Sequence, residues 1–228
     1  MSGEPVARRR YYSPFEVSQH TAPQDCWVSI LGEVFDITPL VKAQQGIAAA
    51  PLVAAAGTDI SHWFDAKTGD IKLFVDPLTN VQSAYCPQGK FIHVAPTEPR
   101  SDWDCGFELP WWKNADDYRI GRLTGSTCLI RVMNMLTGSE DFLEVPKEES
   151  IAEIRDRYLD INSHAASYNW KALKTNAITS EITLEEVNMN LTLEENGMVD
   201  GMNNDEMGLS SAYSPVLCLY WCDDLTVA

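Results

Sequence analysis

A chain of 228 residues, 45% of them hydrophobic, is long enough to form two small domains with separate cores. Its formal net charge is −16 at pH 7, and residues 138–228 hold 18 acidic and 5 basic side chains, a net charge of −13. A surface of this sign repels nucleic-acid phosphates and anionic lipid, which argues against both as partners and favours basic proteins. The other interpretation is that the acidic side chains simply keep a small domain soluble. The longest apolar run, residues 47–56, is too short for a membrane-spanning helix, which needs about 20 residues.

The first segment carries the signals of a short helix and a strand pair. Ser13-Pro14-Phe15-Glu16 is a capping box with proline at the first helical position, which predicts a helix that runs to about His20. Residues 26–30 and 34–37 favour β structure and flank Leu31-Gly32-Glu33, a turn sequence, so we expect a hairpin.

Three short helical stretches are predicted next. Thr38-Pro39-Leu40 opens the first of them, Gly57 ends the second, and Asp59–Phe64 begins the third. After residue 68 the pattern indicates a hairpin, and residues Phe91–Val94 favour a short strand.

A connector rich in proline and aromatic residues follows this strand. Its large aromatic side chains make it too apolar for a solvated linker; they are Trp103, Phe107, Trp111 and Trp112. They either pack across a face of the chain's own domains or dock on a partner, so we treat them as candidate partner-binding residues.

The second half favours strands around a single helix. Strands are predicted at residues 128–135, 142–145, 168–173 and 215–222. Leu136-Thr137-Gly138-Ser139 is a hairpin turn signal between the first two. Ser150-Ile151-Ala152-Glu153 is a second capping box, and Ile151, Ile154 and Tyr158 share one face of the helix that it opens.

An ordered set of residues in the first quarter of the chain carries a family resemblance. The set comprises Tyr12-Ser13-Pro14, Glu16-Val17, His20, Cys26-Trp27-Val28, Gly32, Val34-Phe35-Asp36-Ile37-Thr38, Ala56-Gly57-Thr58-Asp59 and Phe64. It resembles the cytochrome b5 haem/steroid-binding family, in which a small mixed sheet floors a pocket walled by paired helices.

The second half resembles the ubiquitin-like β-grasp fold, and Thr192–Met198 looks like the short turn that precedes the last strand of such domains. The chain ends without the paired glycines that conjugation requires, so no conjugation through the C-terminus is expected. The predicted fold class is α+β. We expect an N-terminal extension at 1–10, a cytochrome b5-like domain at 11–95, a connector at 96–124 and a β-grasp domain at 125–228.

Gln44 departs from the pattern of the cytochrome b5 family. That family holds haem iron between two histidines, and its first ligand lies in a His-Pro-Gly-Gly turn where this chain reads Gln44-Gln45-Gly46-Ile47. A glutamine amide is a poor iron ligand beside an imidazole. The second ligand position follows Phe64, where residues 65–70 include no histidine. No cofactor is therefore firmly predicted, although the resemblance allows haem.

Two other side chains are candidate haem ligands. His62 lies on the predicted third helix, where it is either a ligand or a surface residue. Cys86 precedes Pro87; a thiolate followed by proline occurs in proteins that bind haem transiently, and a cysteine beside a hairpin proline is the other interpretation. We find no Walker, Rossmann or zinc motif, and we predict no metal site, no catalytic residue and no enzyme.

The order of the two halves resembles a family of motile-cilium proteins that join a degenerate cytochrome b5-like domain to a ubiquitin-like domain. The resemblance implies a non-enzymatic docking component of the axoneme, associated with the radial spokes and with regulation of beating, whose partners are radial spoke and other axonemal proteins. The alternative is a haem-dependent redox sensor or electron carrier that uses His62 and Cys86.

Overall fold

The computed structural model describes residues 11–44, 46–75, 77, 80–96, 106–175, 182–198 and 214–221. The chain divides into two compact units, Met1–Leu123 and Thr124–Ala228. The architecture mixes helices with sheets, as the sequence predicts. Within the described ranges, none of the helices combines the length and the apolar character needed to cross a bilayer.

The first unit is built on a small mixed sheet. Its described strands are β1 (Tyr11–Tyr12), β2 (Thr21–Ala22), β3 (Asp25–Ile30), β4 (Glu33–Asp36), β5 (Leu73–Val75), β6 (Gln82–Ala84) and β7 (Arg119–Leu123). Five of them form a sheet in the order β1-β7-β4-β3-β2, and β5 and β6 form a separate hairpin. Because β7 pairs with both β1 and β4, residues predicted as a connector supply a strand to this sheet.

Short helices accompany this sheet. They are α1 (Pro14–Ser18), α2 (Thr38–Ala43), α3 (Ala50–Ala54), α4 (Ala115–Tyr118) and a 3₁₀ turn at Ser61–Trp63. The predicted capping box is confirmed, since the Glu16 N–H donates to Ser13 Oγ at 3.1 Å and the Ser13 N–H donates to the Glu16 carboxylate at 2.8 Å. The third helix predicted from Asp59 is wrong in extent: the chain forms only the 3₁₀ turn because Phe64 is already extended, with ψ of 149°.

Two backbone turns decide the path of the first unit. Leu31 and Gly32 have φ of 50° and 83°, the pair of positive angles that a type I′ hairpin requires, so the predicted turn between β3 and β4 is confirmed. The strand predicted at Phe91–Val94 is wrong. His93 has φ of 70°, and Val94 N–H donates to the Phe91 carbonyl at 3.1 Å, so these residues form a turn instead.

The second unit has one sheet and one α-helix within its described residues. The strands are β8 (Thr127–Asn134), β9 (Glu140–Pro146), β10 (Tyr168–Thr175), β11 (Ile182–Glu186) and β12 (Val216–Trp221), and the helix is α5 (Ile151–Tyr158). The strand order is β11-β10-β12-β8-β9. Strands β12 and β8 are parallel at the centre of the sheet, and the other neighbours are antiparallel. The four predicted strands correspond to β8, β9, β10 and β12.

Local signals also fix α5. Ser150 Oγ accepts the Glu153 N–H at 3.4 Å, and the Glu153 carboxylate accepts the Ser150 N–H at 2.9 Å, which confirms the second capping box. Ile151, Ile154 and Tyr158 are all buried in the core of this unit. The predicted apolar face of the helix is therefore the face that packs on the sheet.

Residues Thr192–Met198 form a single hydrogen-bonded turn. The Asn196 N–H donates to the Thr192 carbonyl at 3.1 Å, and the Asn196 amide donates to the carbonyls of Asn188 and Thr192. Gly197 follows with φ of 79°, a conformation that glycine adopts without steric cost.

Candidate functional site

The position that aligns with the first haem ligand lies at the end of a helix. Gln44 is the C-cap of α2, its N–H donates to the Leu40 carbonyl at 3.0 Å, and its side chain is exposed. Ile47, in the turn before α3, is 94% exposed. Gln44 and Ile47 therefore point to solvent, and no imidazole stands at the start of this turn.

The second ligand position is occupied by a tight turn. The Asp65 carboxylate accepts the N–H groups of Lys67 at 2.7 Å and Thr68 at 3.2 Å, and the Asp65 N–H donates to the Asp70 carbonyl at 2.8 Å. The Asp65 carboxylate is thus engaged by the turn's own backbone, and no residue of the turn offers a soft or aromatic nitrogen donor suited to haem iron.

Asp70 joins this turn to the aromatic segment downstream. Its carboxylate accepts hydrogen bonds from Trp112 Nε1 at 3.1 Å, Lys113 Nζ at 2.5 Å and the Ile71 N–H at 2.9 Å. Partial burial raises the pKa of the Asp70 carboxyl, but the bonds from Lys113, Ile71 and Trp112 outweigh it and hold the pKa below its usual value. Asp70 is thus an ionised anchor for Trp112-Lys113.

Aromatic side chains fill the interior next to these positions. Trp111 is 0% exposed and lies 6.1 Å from Phe35 and 6.4 Å from Phe91 between ring centroids. Trp112 is 9% exposed and lies 5.9 Å from Phe91. Trp63 completes the cluster at 5.2 Å from Phe91. Helices α2 and α3 add Leu40, Val41 and Leu52 to the same core.

Of the two interpretations given for Trp111 and Trp112, packing against the chain's own domain is the one that the structure shows, which corrects their choice as candidate partner-binding residues. Both are buried in the first unit's own core, so a partner cannot reach them without opening it. Phe107 is half-buried and stacks on His93 at 4.0 Å between ring centroids. Trp103 lies outside the described residues.

Two indole N–H groups in this core are unusual. Among the described residues, Nε1 of Trp63 and Nε1 of Trp111 are buried without a hydrogen-bond partner. A buried donor left unpaired costs about 1–3 kcal/mol, so the surrounding aromatic packing must offset two such costs.

His62 and Cys86 occupy different surroundings. His62 is exposed, and its ring lies against Trp63 at 5.9 Å between ring centroids. Cys86 is half-buried and lines a surface cavity of about 530 Å³ beside the β5–β6 hairpin, with Phe74, Tyr85 and Lys90. His62 does not line this cavity, so the structure does not bring the two candidate ligands together there.

The Cys86 thiol is also poorly prepared to bind iron. Burial raises the pKa of Cys86, and the nearby Lys90 ammonium offsets only part of that rise, so the thiolate that a metal requires is disfavoured. In the part of the chain that the structure describes, no three His, Cys, Asp or Glu side chains cluster as a metal site. The residues at both aligned positions and the filled interior do not fit a six-coordinate haem.

Sequence reasoning missed an apolar surface of the second unit. Met135 and Leu136, in the turn after β8, and Trp221, at the end of β12, are 44%, 70% and 51% exposed. With Tyr220 they line a groove of about 470 Å³. The signal available in the sequence was an apolar pair, Met135-Leu136, directly before the polar turn residues Thr137-Gly138.

Comparison with known proteins agrees with the resemblance read from the sequence. Residues 13–124 match the cytochrome b5-like heme/steroid binding domain family. Cytochrome b5 domain-containing protein 1 of Xenopus laevis is 45% identical over 222 residues, which cover 96% of this chain and 97% of that protein. The protein of the same name from Homo sapiens is 46% identical, and the match covers 96% of this chain and 92% of that protein. The chain belongs to the cytochrome b5 domain-containing protein 1 family.

Proposed function

We propose that this protein is a non-enzymatic docking component of the axoneme of motile cilia, a cytoskeletal protein associated with the radial spokes that influences beating. The resemblance of the two-domain order to ciliary proteins supports the location. The aromatic interior of the first unit carries the docking role, because a domain filled by its own side chains is suited to presenting its surface to a partner.

The second unit is, in this proposal, a ubiquitin-like β-grasp domain. Its strand order and its one described α-helix, which lies between the second and third strands of the unit, support this. So does the parallel pairing of β8 with β12. The unit then acts as a protein-docking module.

Charge supports protein partners over other classes. Residues 124–228 hold 18 acidic and 6 basic side chains, a net charge of −12. A unit with this charge repels nucleic acid and anionic membranes and attracts basic protein surfaces. We propose radial spoke and other axonemal proteins as the partners.

Fractionation of cilia tests the docking role. The tagged chain is expressed at native level in a ciliated cell, and isolated cilia are extracted with detergent, which releases membrane and matrix and leaves the axoneme. We expect the chain in the axonemal pellet. Recovery in the detergent-soluble fraction would refute the proposal, and an extracted matrix protein serves as the control for complete extraction.

The rival function is a haem-dependent redox sensor or electron carrier. Its one structural support is that Cys86 lines an open cavity. Purified protein is titrated with hemin, oxidised and then reduced, beside Cys86→Ala and His62→Ala variants. A saturable Soret band that shifts on reduction and disappears in a variant would favour the rival; a broad band like that of free hemin, equal in all three proteins, is what the docking proposal expects.

A further inference from the structure

The groove of the second unit is lined by Met135, Leu136, Tyr220 and Trp221, and we call it the β8–β12 groove. A backbone hydrogen bond joins the two sides of the groove. The Met135 N–H donates to the Leu219 carbonyl at 3.0 Å, which links the turn after β8 to β12. Most large side chains of this unit's core are fully buried, whereas the groove leaves an apolar surface open to solvent. Exposed apolar patches of this kind mark interaction sites.

The groove is also held in one shape. Asn134 Oδ1 accepts the N–H groups of Leu136 at 3.0 Å and Thr137 at 3.3 Å, so a local turn fixes where Leu136 projects. The Trp221 ring packs edge-on against Tyr168 at 5.6 Å between ring centroids. The backbone that carries Leu136 and the ring of Trp221 are thus positioned before binding, which lowers the entropy lost on binding.

Charge and ring chemistry indicate what the groove receives. Tyr220 already has a cation over its ring, the Lys171 ammonium at 5.4 Å from the centroid, and that ammonium is 3.8 Å from the Glu186 carboxylate. Indole binds cations more strongly than phenol does, and the Trp221 indole is half-exposed. The groove belongs to a unit whose net charge is −12. Both the indole ring and the negative charge of the unit therefore favour an arginine or lysine near Trp221.

We propose that the β8–β12 groove binds a segment of a partner protein that presents an apolar side chain flanked by arginine or lysine. The inference rests on the proposed docking role and adds the chemistry of the partner. The apolar side chain lies between Leu136 and Tyr220, and the cation lies on the exposed face of Trp221. Such a contact requires few hydrogen bonds from the partner, so the specificity of binding comes from shape and charge.

A binding measurement with the full chain tests the groove. The probe is a fluorescently labelled peptide of leucine and arginine, and its matched control replaces every arginine with glutamate. We expect saturable binding of the arginine peptide alone, with the dissociation constant raised at least about tenfold by Leu136→Ser and by Trp221→Ala. Neither substitution changes the net charge, so non-specific attraction to an acidic protein survives both.

Leu173→Ser is the matched control variant, because Leu173 is 53% exposed on β10 of the same sheet but does not line the groove. It should bind like the unaltered chain. Leu136 is 70% exposed, so its loss leaves folding intact, and circular dichroism verifies this for each variant. Unchanged affinity in both groove variants overturns the proposal, and so does equal binding of the glutamate peptide.

Two further outcomes also count against the proposed occupant. If sedimentation shows that the chain dimerises and that Trp221→Ala abolishes the dimer, the occupant is a second copy of the chain. If the chain binds neutral lipid vesicles through Trp221, the occupant is lipid. The docking role is tested separately by fractionation. If the chain stays with axonemes but the groove variants bind the peptide normally, the docking role stands and the groove proposal fails.

Discussion

At the residue scale, Trp111 is the side chain on which the first core most depends. It is fully buried, it contacts rings from separate parts of the chain, and its Nε1 has no partner among the described residues. The packing of its ring therefore stabilises the fold, whereas its buried and unpaired N–H destabilises it. Substitutions can separate these two contributions to the free energy of unfolding.

We expect Trp111→Ala to lower the free energy of unfolding by about 3–5 kcal/mol, the usual cost of removing a buried aromatic side chain. Trp111→Phe should cost less than half as much, because it keeps most ring contacts and removes an unpaired donor. Guanidinium chloride unfolding followed by circular dichroism measures both. Leu109→Ala, at a 54% exposed position, is the control and should change little. Equal losses for the two Trp111 variants would contradict this account.

Tyr158 predicts how stability responds to alkaline pH. Burial and a 2.6 Å hydrogen bond from its hydroxyl to the Asp141 carboxylate raise the pKa of Tyr158 from 10 to about 12. The unfolded chain loses this proton near pH 10 while the folded chain keeps it, so the contribution is complete below pH 10 and is lost as pH rises to 12.

The measurement is urea unfolding at several pH values between 9 and 12, on the unaltered chain and on Tyr158→Phe. The stability difference between them should shrink across this window. Cys26 also titrates in this range, because burial, Asp36 and Asp25 raise its pKa to about 11. Both proteins contain Cys26, so its contribution drops out of the stability difference between them. A difference that stays constant with pH would show that Tyr158 is not the titrating group.

At the element scale, a buried ion pair holds α5 to the loop before it. Arg157 Nε donates to Glu149 Oε2 at 2.6 Å and Arg157 Nη2 donates to Glu149 Oε1 at 2.7 Å, and both side chains are at most 5% exposed. Two residues earlier, Arg155 contacts Asp156 at 3.0 Å, and these side chains are 32% and 46% exposed. The helix thus offers a buried and a partly exposed arginine for direct comparison.

Arg157→Met should lower the free energy of unfolding by about 3–5 kcal/mol, because it leaves the Glu149 carboxylate buried without its partner. Arg155→Met should lower it by less than about 1 kcal/mol, since exposed ion pairs contribute little. Thermal and urea unfolding measure both. The double variant Arg157→Met with Glu149→Gln should recover part of the loss, because no uncompensated charge then remains. If the double variant is no more stable than Arg157→Met, packing rather than charge accounts for the cost.

The same elements show which features the sequence could predict. The capping boxes at Ser13 and Ser150 and the turn at Leu31-Gly32 depend on residues close in the chain, and local chemistry was enough to predict them. The turn at His93 and the burial of Trp111 depend on contacts between distant segments, such as the Trp111 N–H that donates to His93 Nδ1 at 3.0 Å. Local propensity predicted a strand at His93, because it takes no account of the tertiary packing that overrides it. The apolar composition of the connector left both packing and docking open for Trp111.

At the scale of the whole molecule, the first unit keeps the sheet and short helices of its family but fills the interior with its own aromatic side chains. Gln44 could be recognised from sequence as a lost ligand; that the interior is filled could not, since Trp111 and Trp112 reach it from a segment that looked like a connector. A fold can persist without the cofactor of its family, so placing one histidine at this position should not by itself create a haem site.

We therefore expect Gln44→His to leave hemin binding unchanged. The new imidazole would stand on the exposed C-cap of α2, opposite no second histidine, and beside an interior that Trp63, Trp111 and Phe91 already occupy. Absorption titration with hemin, oxidised and reduced, measures this, and Lys42→His, at another exposed position of the same helix, controls for adventitious coordination by a surface imidazole. A sharp, saturable Soret band in Gln44→His but not in Lys42→His would mean that the interior opens to admit haem, and that the loss of one ligand alone separates this chain from a haem protein.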